Sequence, residues 1–423
     1  MFAPLIASIL MCISTSILGV FAYLKKKSLL SETISHSAFP GMIMAILLGS
    51  FVVDVSNEST FFIVALIGGG VFSYFSLNLL KYLMQNLSIK ADVALCLVLA
   101  FFFGLGVLLI SYSQQTQPLI YQKLVQYFYG QTLTMQNSHI ALYGVLSVVV
   151  VVSTLLFYHP LKIYYFDASF AKSIGIKISH MERLFFVLLV ATIIIGMRCV
   201  GVILMTGMLV APAVAARQWT DRLSKMFVLS AVFGTSSAFL GNSLSYYFEA
   251  YSLPSGPLIV ISAFVLTFFS LLLSPKKGVF HRIARIFSYK KKILEENTLK
   301  YFYKMQNEGA TSLKKLSSVL SLSHVPFVLF VKWLVFQGWI EKKEKNMYQL
   351  THEGINKARH ILRLHRLWEV YLDDIGIEKT QIHSQAENME HIISSDVEKM
   401  LDLLLHSPEK DPNDKPIPKS QEL

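Results

Sequence analysis

The chain has 423 residues, 53% of them hydrophobic and only 15% charged, with a formal net charge of +11. Such a composition excludes a wholly soluble globular protein. The basic excess invites a nucleic-acid reading, but Lys and Arg concentrated on cytoplasmic loops of a membrane protein account for the larger part of it. Cys12, Cys96 and Cys199 all lie in apolar runs, with no C-x-x-C spacing, so neither a disulfide framework nor a zinc knuckle is indicated.

A membrane-spanning helix needs about 20 apolar residues. In chain order the expected spans are residues 4–24, 34–53, 61–80, 91–112, 138–158, 184–200, 201–216, 226–248 and 257–274. The sixth and seventh are separated only by Arg198 to Gly201, so eight or nine spans are expected. The first run is followed, not preceded, by Lys25, Lys26 and Lys27, so it reads as a retained span rather than a signal peptide. Positive charges after spans one, three, five and seven place the N-terminus outside and the C-terminus in the cytoplasm. The largest cytoplasmic loop, residues 159–183, is long and mixed in polarity, and reads as a docking surface or a solvated loop. No phosphate-binding loop of the G-x-x-x-x-G-K-[ST] type occurs, so ATP hydrolysis, if it drives transport, belongs to a separate chain. No nucleophile–base set suggests an enzyme.

Glu32 and His36, four residues apart in S-E-T-I-S-H-S-A-F-P-G, share one helix face near the start of span two. A carboxylate beside an imidazole suits a divalent cation, and ionisable residues in spans mark pathways. A helix-end acid and a hydrogen-bonded histidine explain the pair as readily. The stretch resembles the D-A-L-S-H-A-x-x-P-G motif of ABC-type manganese, zinc and iron permeases. The resemblance continues through K-A-D-V-A-L (residues 90–95), F-D-A-S-F-A-K-S-I-G (166–175) and M-R-C-V-G-V-I-L-M-T-G-M-L-V-A-P-A-V-A-A-R (197–217), covering residues 1–275. It implies a transmembrane permease domain paired with a second permease subunit (homo- or heterodimer). It also implies a cytoplasmic ATPase docking around Asp167, Phe170 and Gly175, and an extracytoplasmic metal-binding protein. By the same resemblance Glu32 and His36 lie in the metal path, with Glu32 standing where the family usually has Asp.

Residues 276–293 form a basic linker with interleaved aromatics, read as a stop signal and an interfacial helix on anionic lipid. Helical patterns at 294–308, 311–320 and 324–337, followed by a hairpin turning at 343–346, have the order of a winged helix-turn-helix over residues 294–352. Ser323, His324 and Lys332 are its base-facing polar residues, and Lys342, Lys343 and Lys345 its phosphate-facing wing. The recognition helix is otherwise apolar, which makes base readout thin.

Residues 353–423 hold a long helix from about Thr351 to Asp374, with His365 and Glu369 four apart. A second helix carries His383, Glu387, Glu390 and His391 on one stripe. A solvated polar face is the bland alternative, but two such clusters favour metal. R-L-H-R-L-W-E-V-Y-L (363–372), I-H-S-Q-A-E-N-M-E-H (382–391) and D-P-N-D-K-P-I-P (411–418) resemble the diphtheria-toxin-repressor family of metalloregulators, in order and spacing. The resemblance implies a metal-binding and dimerisation domain, hence a repressor-domain homodimer on operator DNA. It assigns Glu387, Glu390 and His391 to one metal site and His365, Glu369 and His383 to its neighbour. Asn297 falls on the first-helix ligand and Lys300 on a position that is acidic in manganese-type members. The oxygen and nitrogen donors favour Mn²⁺ or Fe²⁺, with Zn²⁺ possible.

Taken together, the expected fold is an all-α polytopic membrane protein followed by a winged helix-turn-helix and a helical metal-binding domain. The whole resembles a YtgCR-type permease–repressor fusion of a bacterial inner membrane. That implies a permease subunit of an ATP-driven divalent metal importer joined to a metal-dependent repressor of metal-uptake genes. The alternative is a tail that senses cytoplasmic metal and gates the transporter without touching DNA.

Overall fold

The computed structural model describes residues 2–24, 28–51, 57–132, 135, 137–251, 253–305, 311–312, 324–344, 347–391 and 395–419. The chain divides into two compact units, Met1–Arg282 and Ile283–Leu423.

Apart from turns and short breaks, the described residues of the first unit are helical. Its helices are α1 (Phe2–Leu24), α2 (Ser28–Gly49), α3 (Glu58–Gln85), α4 (Ala91–Thr116), α5 (Pro118–Tyr129), α6 (Asn137–Leu156), α7 (Tyr158–Phe166), α8 (Ala168–Ser173), α9 (Ile178–Val200), α10 (Met205–Trp219), α11 (Leu223–Tyr247) and α12 (Ser255–Leu273). Seven of them, α1, α3, α4, α6, α9, α11 and α12, are long and apolar enough to cross a membrane. The polar residues of α2 and the shortness of α10 (15 residues) separate these two from the rest. Both are nevertheless packed inside the bundle: Ile34, Met42, Met208 and Leu209 are fully buried. Spans six and seven are thus two helices, broken at Gly201, whose φ of +91° ends α9. Short α5, between Gln117 and Gly130, was not expected from the sequence, because its 12 residues are too few for a span.

Small residues set the helix spacing. A Cβ on Gly41 would lie 2.5 Å from the Gly68 carbonyl oxygen, and one on Gly68 would lie 2.4 Å from that of Gly41, so α2 and α3 cross backbone to backbone. The two non-helical breaks lean on each other. Gln131 N–H donates to Arg198 O at 3.0 Å and Val202 N–H to Tyr127 O at 3.2 Å. Here Gly130 and Gly201 leave no room for a side chain: a Cβ on either would fall within 2.7 Å of the other segment's backbone. Irregular backbone inside a bundle persists only when its polar groups are paired within the protein, and these two breaks pair with each other.

The second unit begins within α13 (Val279–Met305), so most of the basic linker is helical and continuous with the first helix of the tail. Its outer residues include exposed Phe280 and Phe287. Beyond it come β1 (Thr311–Ser312), α14 (His324–Phe336), β2 (Ile340–Glu344) and β3 (Met347–Leu350). The strands form one antiparallel sheet in the order β1-β3-β2, with Thr311 opposite Tyr348 and Ile340 opposite Leu350. Thr311 and Ser312 are therefore strand, where the helical pattern predicted the start of a helix. A strand of two residues leaves no periodicity to read. The rest of that predicted helix, 313–320, lies outside the described residues, as do Ser323 and Lys345.

The core of this part is Leu299, Phe302, Phe327, Val331, Leu334, Ile340, Tyr348 and Leu350. Thr351 caps α15 (His352–Asp374), its hydroxyl accepting from Gly354 N–H at 3.1 Å. Two helices complete the unit, α16 (Lys379–Met389) and α17 (Ser395–Leu404). Arg363 of α15 binds this C-terminal region. It donates to Glu398 Oε1 at 3.1 Å, Asp402 Oδ1 at 2.7 Å and Pro418 O at 2.7 Å.

Candidate metal centre and docking surfaces

The periodicity of α15 places His365 and Glu369 on one face, and α16 packs across them. His365 Nε2 lies 3.1 Å from Glu369 Oε1, His383 Nδ1 lies 2.7 Å from the same oxygen, and the two imidazoles approach to 3.1 Å. One ligand atom from each of these three residues can be chosen so that all fall within 4.8 Å of one another, the spacing of a chelating set. His365 and Glu369 are buried and His383 is exposed, so the pocket opens on His383.

A second group adjoins it through Glu390. Glu390 stands at the C-terminus of α16 and His391 just beyond, so the stripe expected on one helix is turned at its end. Glu390 Oε2 is 2.5 Å from His365 Nδ1, and Glu390 Oε1 is 3.4 Å from His391 Nε2. Asn297 Oδ1 is buried and makes no hydrogen bond, while His365 Nδ1, Glu390 Oε2 and His391 Nε2 are buried with only one another or the second Glu390 oxygen as partners. Unpaired buried polar atoms are costly. Buried ligand-type atoms that partner chiefly one another suit a cation, and among the described residues His365, Glu369 and His383 are the set of three that comes within 4.8 Å. Glu387, 41% exposed, completes the group at its edge.

Two residues of α13 enter this group in ways the sequence reading did not foresee. Glu296 Oε2 lies 2.6 Å from His391 Nδ1, orienting the imidazole so that Nε2 faces inward. The pair Glu295–Glu296, in an otherwise basic stretch, was the available signal. Lys300 is 3% exposed and its Nζ sits 2.5 Å from Glu390 Oε1 and 3.9 Å from Glu387 Oε1.

The electrostatics follow from this crowding. Burial raises the Glu369 carboxyl, but hydrogen bonds and charge from His365 and His383 outweigh it and hold its pKa at about 2. For Glu390 burial is likewise opposed by His365 and by the Lys300 ammonium, and the carboxyl stays below its ordinary value. His365 is pulled down by burial and pushed up further by Glu369 and Glu390, so its pKa is raised.

In the membrane unit, His36 is buried on α2, edge-on to Phe103 with centroids 5.1 Å apart, and its Nδ1 makes no hydrogen bond. Glu32, one turn earlier, is half-buried. Among the described residues neither joins a cluster of three metal-ligating side chains. Another charged cluster, overlooked in the sequence, brings Glu58 within 3.8 Å of Arg198 and 3.9 Å of His139. Its members come from three different helices, which no local spacing reveals.

The predicted docking loop folds as α7 and α8. Asp167 caps α8 by accepting from Phe170 N–H at 2.9 Å. Phe166, Phe170 and Ile174, four residues apart, are each at least half exposed, and Gly175 turns the chain at φ +83° with open space around it. On α14, Phe327, Val331 and Leu334 are buried, while Leu329, Lys332 and Phe336 face outward. Lys342 and Lys343 of β2 are exposed. His324 begins α14.

These features define a polytopic helical membrane protein whose second unit carries a nitrogen- and oxygen-lined cluster with the spacing to hold a metal ion. The family model of the ABC 3 transport family matches residues 1–274, and that of the iron dependent repressor, metal binding and dimerisation domain matches residues 351–419. The chain is 32% identical to a probable metal transport system membrane protein of Chlamydia trachomatis, over 97% of this chain and 94% of that one. It is 30% identical to the manganese transport system membrane protein MntC of Bacillus subtilis, covering 87% and 83% of the two chains. Among solved structures, PsaBC from Streptococcus pneumoniae in complex with Fab superposes with a TM-score of 0.57 at 28% identity, over 65% of this chain and 92% of that one. The chain belongs to the ABC 3 transport family, and it carries a C-terminal metal-dependent repressor domain.

Proposed function

We propose that the chain is the permease subunit of an ATP-driven importer of Mn²⁺ or Fe²⁺ in a bacterial inner membrane, and that its tail represses metal-uptake genes when loaded with the same ion. The observation that carries the sensor half is the His365–Glu369–His383 cluster, whose ligand atoms lie within 4.8 Å of one another. His365, Glu369 and His383 hold one ion. Asn297, Glu387, Glu390 and His391 form the neighbouring site. A bound ion supplies positive charge that ties α13, α15 and α16 together, ordering the winged helix for DNA. All donors are oxygen or nitrogen, which favours the harder ions, although Zn²⁺ also accepts such a set.

In the membrane unit, Glu32 and His36 line the cation path. The segment around Asp167, Phe170 and Gly175, with Phe170 exposed, seats a separate ATPase chain, and a second permease subunit completes the path. An extracytoplasmic metal-binding protein delivers the ion on the face where the N-terminus lies. The tail is then cytoplasmic, dimerises, and contacts operator DNA through Ser323, His324, Lys332, Lys342, Lys343 and Lys345.

The outward face of α14 favours a second reading. Leu329 and Phe336, 63% and 85% exposed, flank the single cation Lys332. Such a face suits protein better than base edges, and a tail that gates its own transporter would use it so. Fluorescence anisotropy of the operon's promoter DNA against the full chain in nanodiscs separates the two. Mn²⁺-dependent, competitor-resistant binding is expected for the repressor. Mn²⁺ uptake by proteoliposomes that rises on deleting the tail, with no DNA shift, overturns it in favour of the gate.

A further inference from the structure

Lys300 lies three residues after Asn297 on α13, so both side chains project from one helix face. Its ammonium is buried, 2.5 Å from Glu390 Oε1 and 3.9 Å from Glu387 Oε1, and the Glu390 carboxylate is wholly sequestered from solvent. On the same helix face Asn297 Oδ1 is buried without a hydrogen bond, and His391 Nε2 lies 3.4 Å from the Glu390 oxygen that Lys300 holds. The His365–Glu369–His383 pocket, by contrast, contains no lysine or arginine contact among its described ion pairs. The two pockets therefore differ in one respect that matters for cations: one already has a cation in it.

We propose that Lys300 is the resident cation of the Asn297–Glu387–Glu390–His391 pocket, competing with divalent metal for the Glu390 carboxylate. The His365–Glu369–His383 pocket then fills first, and each tail senses metal through one tightly bound ion rather than a pair. This rests on the reading of the tail as a metal sensor. An ammonium and a divalent ion cannot share the same carboxylate oxygen without strong repulsion in a buried site. Loading the second pocket thus requires Lys300 to be expelled from a position where burial and two acids hold it. Lys300 acts through Glu390 and Glu387 and sets how many ions bind, not whether the first one does.

The test counts bound ions on the full-length chain in detergent, titrating Mn²⁺ and following free Mn²⁺ by electron paramagnetic resonance. Any site in the membrane unit adds the same constant to every variant, so differences between variants report the tail. Lys300→Met is expected to bind one more tight Mn²⁺ than the parent chain, and Lys300→Arg the same number as the parent. His383→Ala is expected to bind one fewer in either background. Lys300→Gln, which keeps a donor for Glu390 without the charge, repeats the count should Lys300→Met fail to fold, with circular dichroism checking the helices. If Lys300→Met or Lys300→Gln is folded and gains no ion while His383→Ala still loses one, the inference is overturned and the sensor reading stands. If His383→Ala loses none, the sensor reading itself is wrong.

Discussion

The two units bury polar groups in opposite ways. In the membrane unit most buried polar side chains are hydroxyls and amides that close on protein oxygens. Ser35 donates to Val202 O at 3.0 Å, Ser230 to Ser16 O at 2.9 Å, and Asn242 to Ser8 Oγ at 2.8 Å. In the tail, ionisable side chains are buried together: Lys300, His365, Glu369, Glu390 and His391 are all at most 4% exposed. A neutral hydroxyl satisfied locally adds cohesion at little electrostatic cost, and small residues beside it let helices touch. Buried charges are tolerated only while every partner is present. One unit is arranged for close packing around a path, the other for a response to the arrival of charge.

The largest effect expected from breaking this contrast is in the membrane unit. Gly68→Leu would drive a side chain into Ala45 and the Gly41 backbone. Loss of most folded, monodisperse protein on detergent size-exclusion chromatography is expected, against an unchanged profile for exposed Val71→Leu on the same helix. Next comes Glu390→Ala in the tail. It strands the Lys300 ammonium in the interior and should destabilise the tail by about 3–5 kcal/mol, read as faster hydrogen exchange over residues 352–391 in chelator. A Glu390→Ala tail as protected as the parent would mean that Lys300 reaches solvent.

A pH series sharpens the same contrast. Glu369 is held at about 2 against an ordinary 4.5, so its contribution is full above about 4.5 and is lost as pH falls toward 2. His365 is raised above its ordinary 6.5, so its contribution is full below 6.5 and is lost as pH rises through the raised value. The metal-free tail should therefore be most protected between about pH 4.5 and 6.5. Mn²⁺ affinity should run the other way, weakening as pH falls and His365 takes a proton. Protection that climbs steadily to pH 8 in chelator would contradict the assignment. The smallest effect expected is Thr351→Ala, which removes the cap of α15 and costs about 1 kcal/mol, with no change in bound Mn²⁺.

Much of this architecture can be read before any coordinates. The long apolar runs mark the spans because a bilayer demands length and hydrophobicity together. Arg198 to Gly201 marks a true helix break because only glycine adopts that turn easily. The spacing of His365, Glu369, His383, Glu387 and Glu390 is helical, so local periodicity suffices to align them. What stays hidden is non-local or very short. Glu296 meets His391 across 95 positions, and the Glu58–Arg198–His139 cluster draws on three helices. The strand Thr311–Ser312 owes its existence to Tyr348 and Met347 on the far side of α14. Lys300 is visible as an odd residue on the first tail helix, but its burial against Glu390 depends on how α13 and α16 meet.

The paired breaks after α5 and after α9 carry one last consequence. Their peptide groups satisfy each other, through Gln131 with Arg198 and Val202 with Tyr127, and glycines at 130 and 201 let them touch. Neither segment can shift alone without leaving amides unanswered in a medium that offers no water. Any rearrangement that opens the bundle at this level must carry both as a single rivet, or shear it.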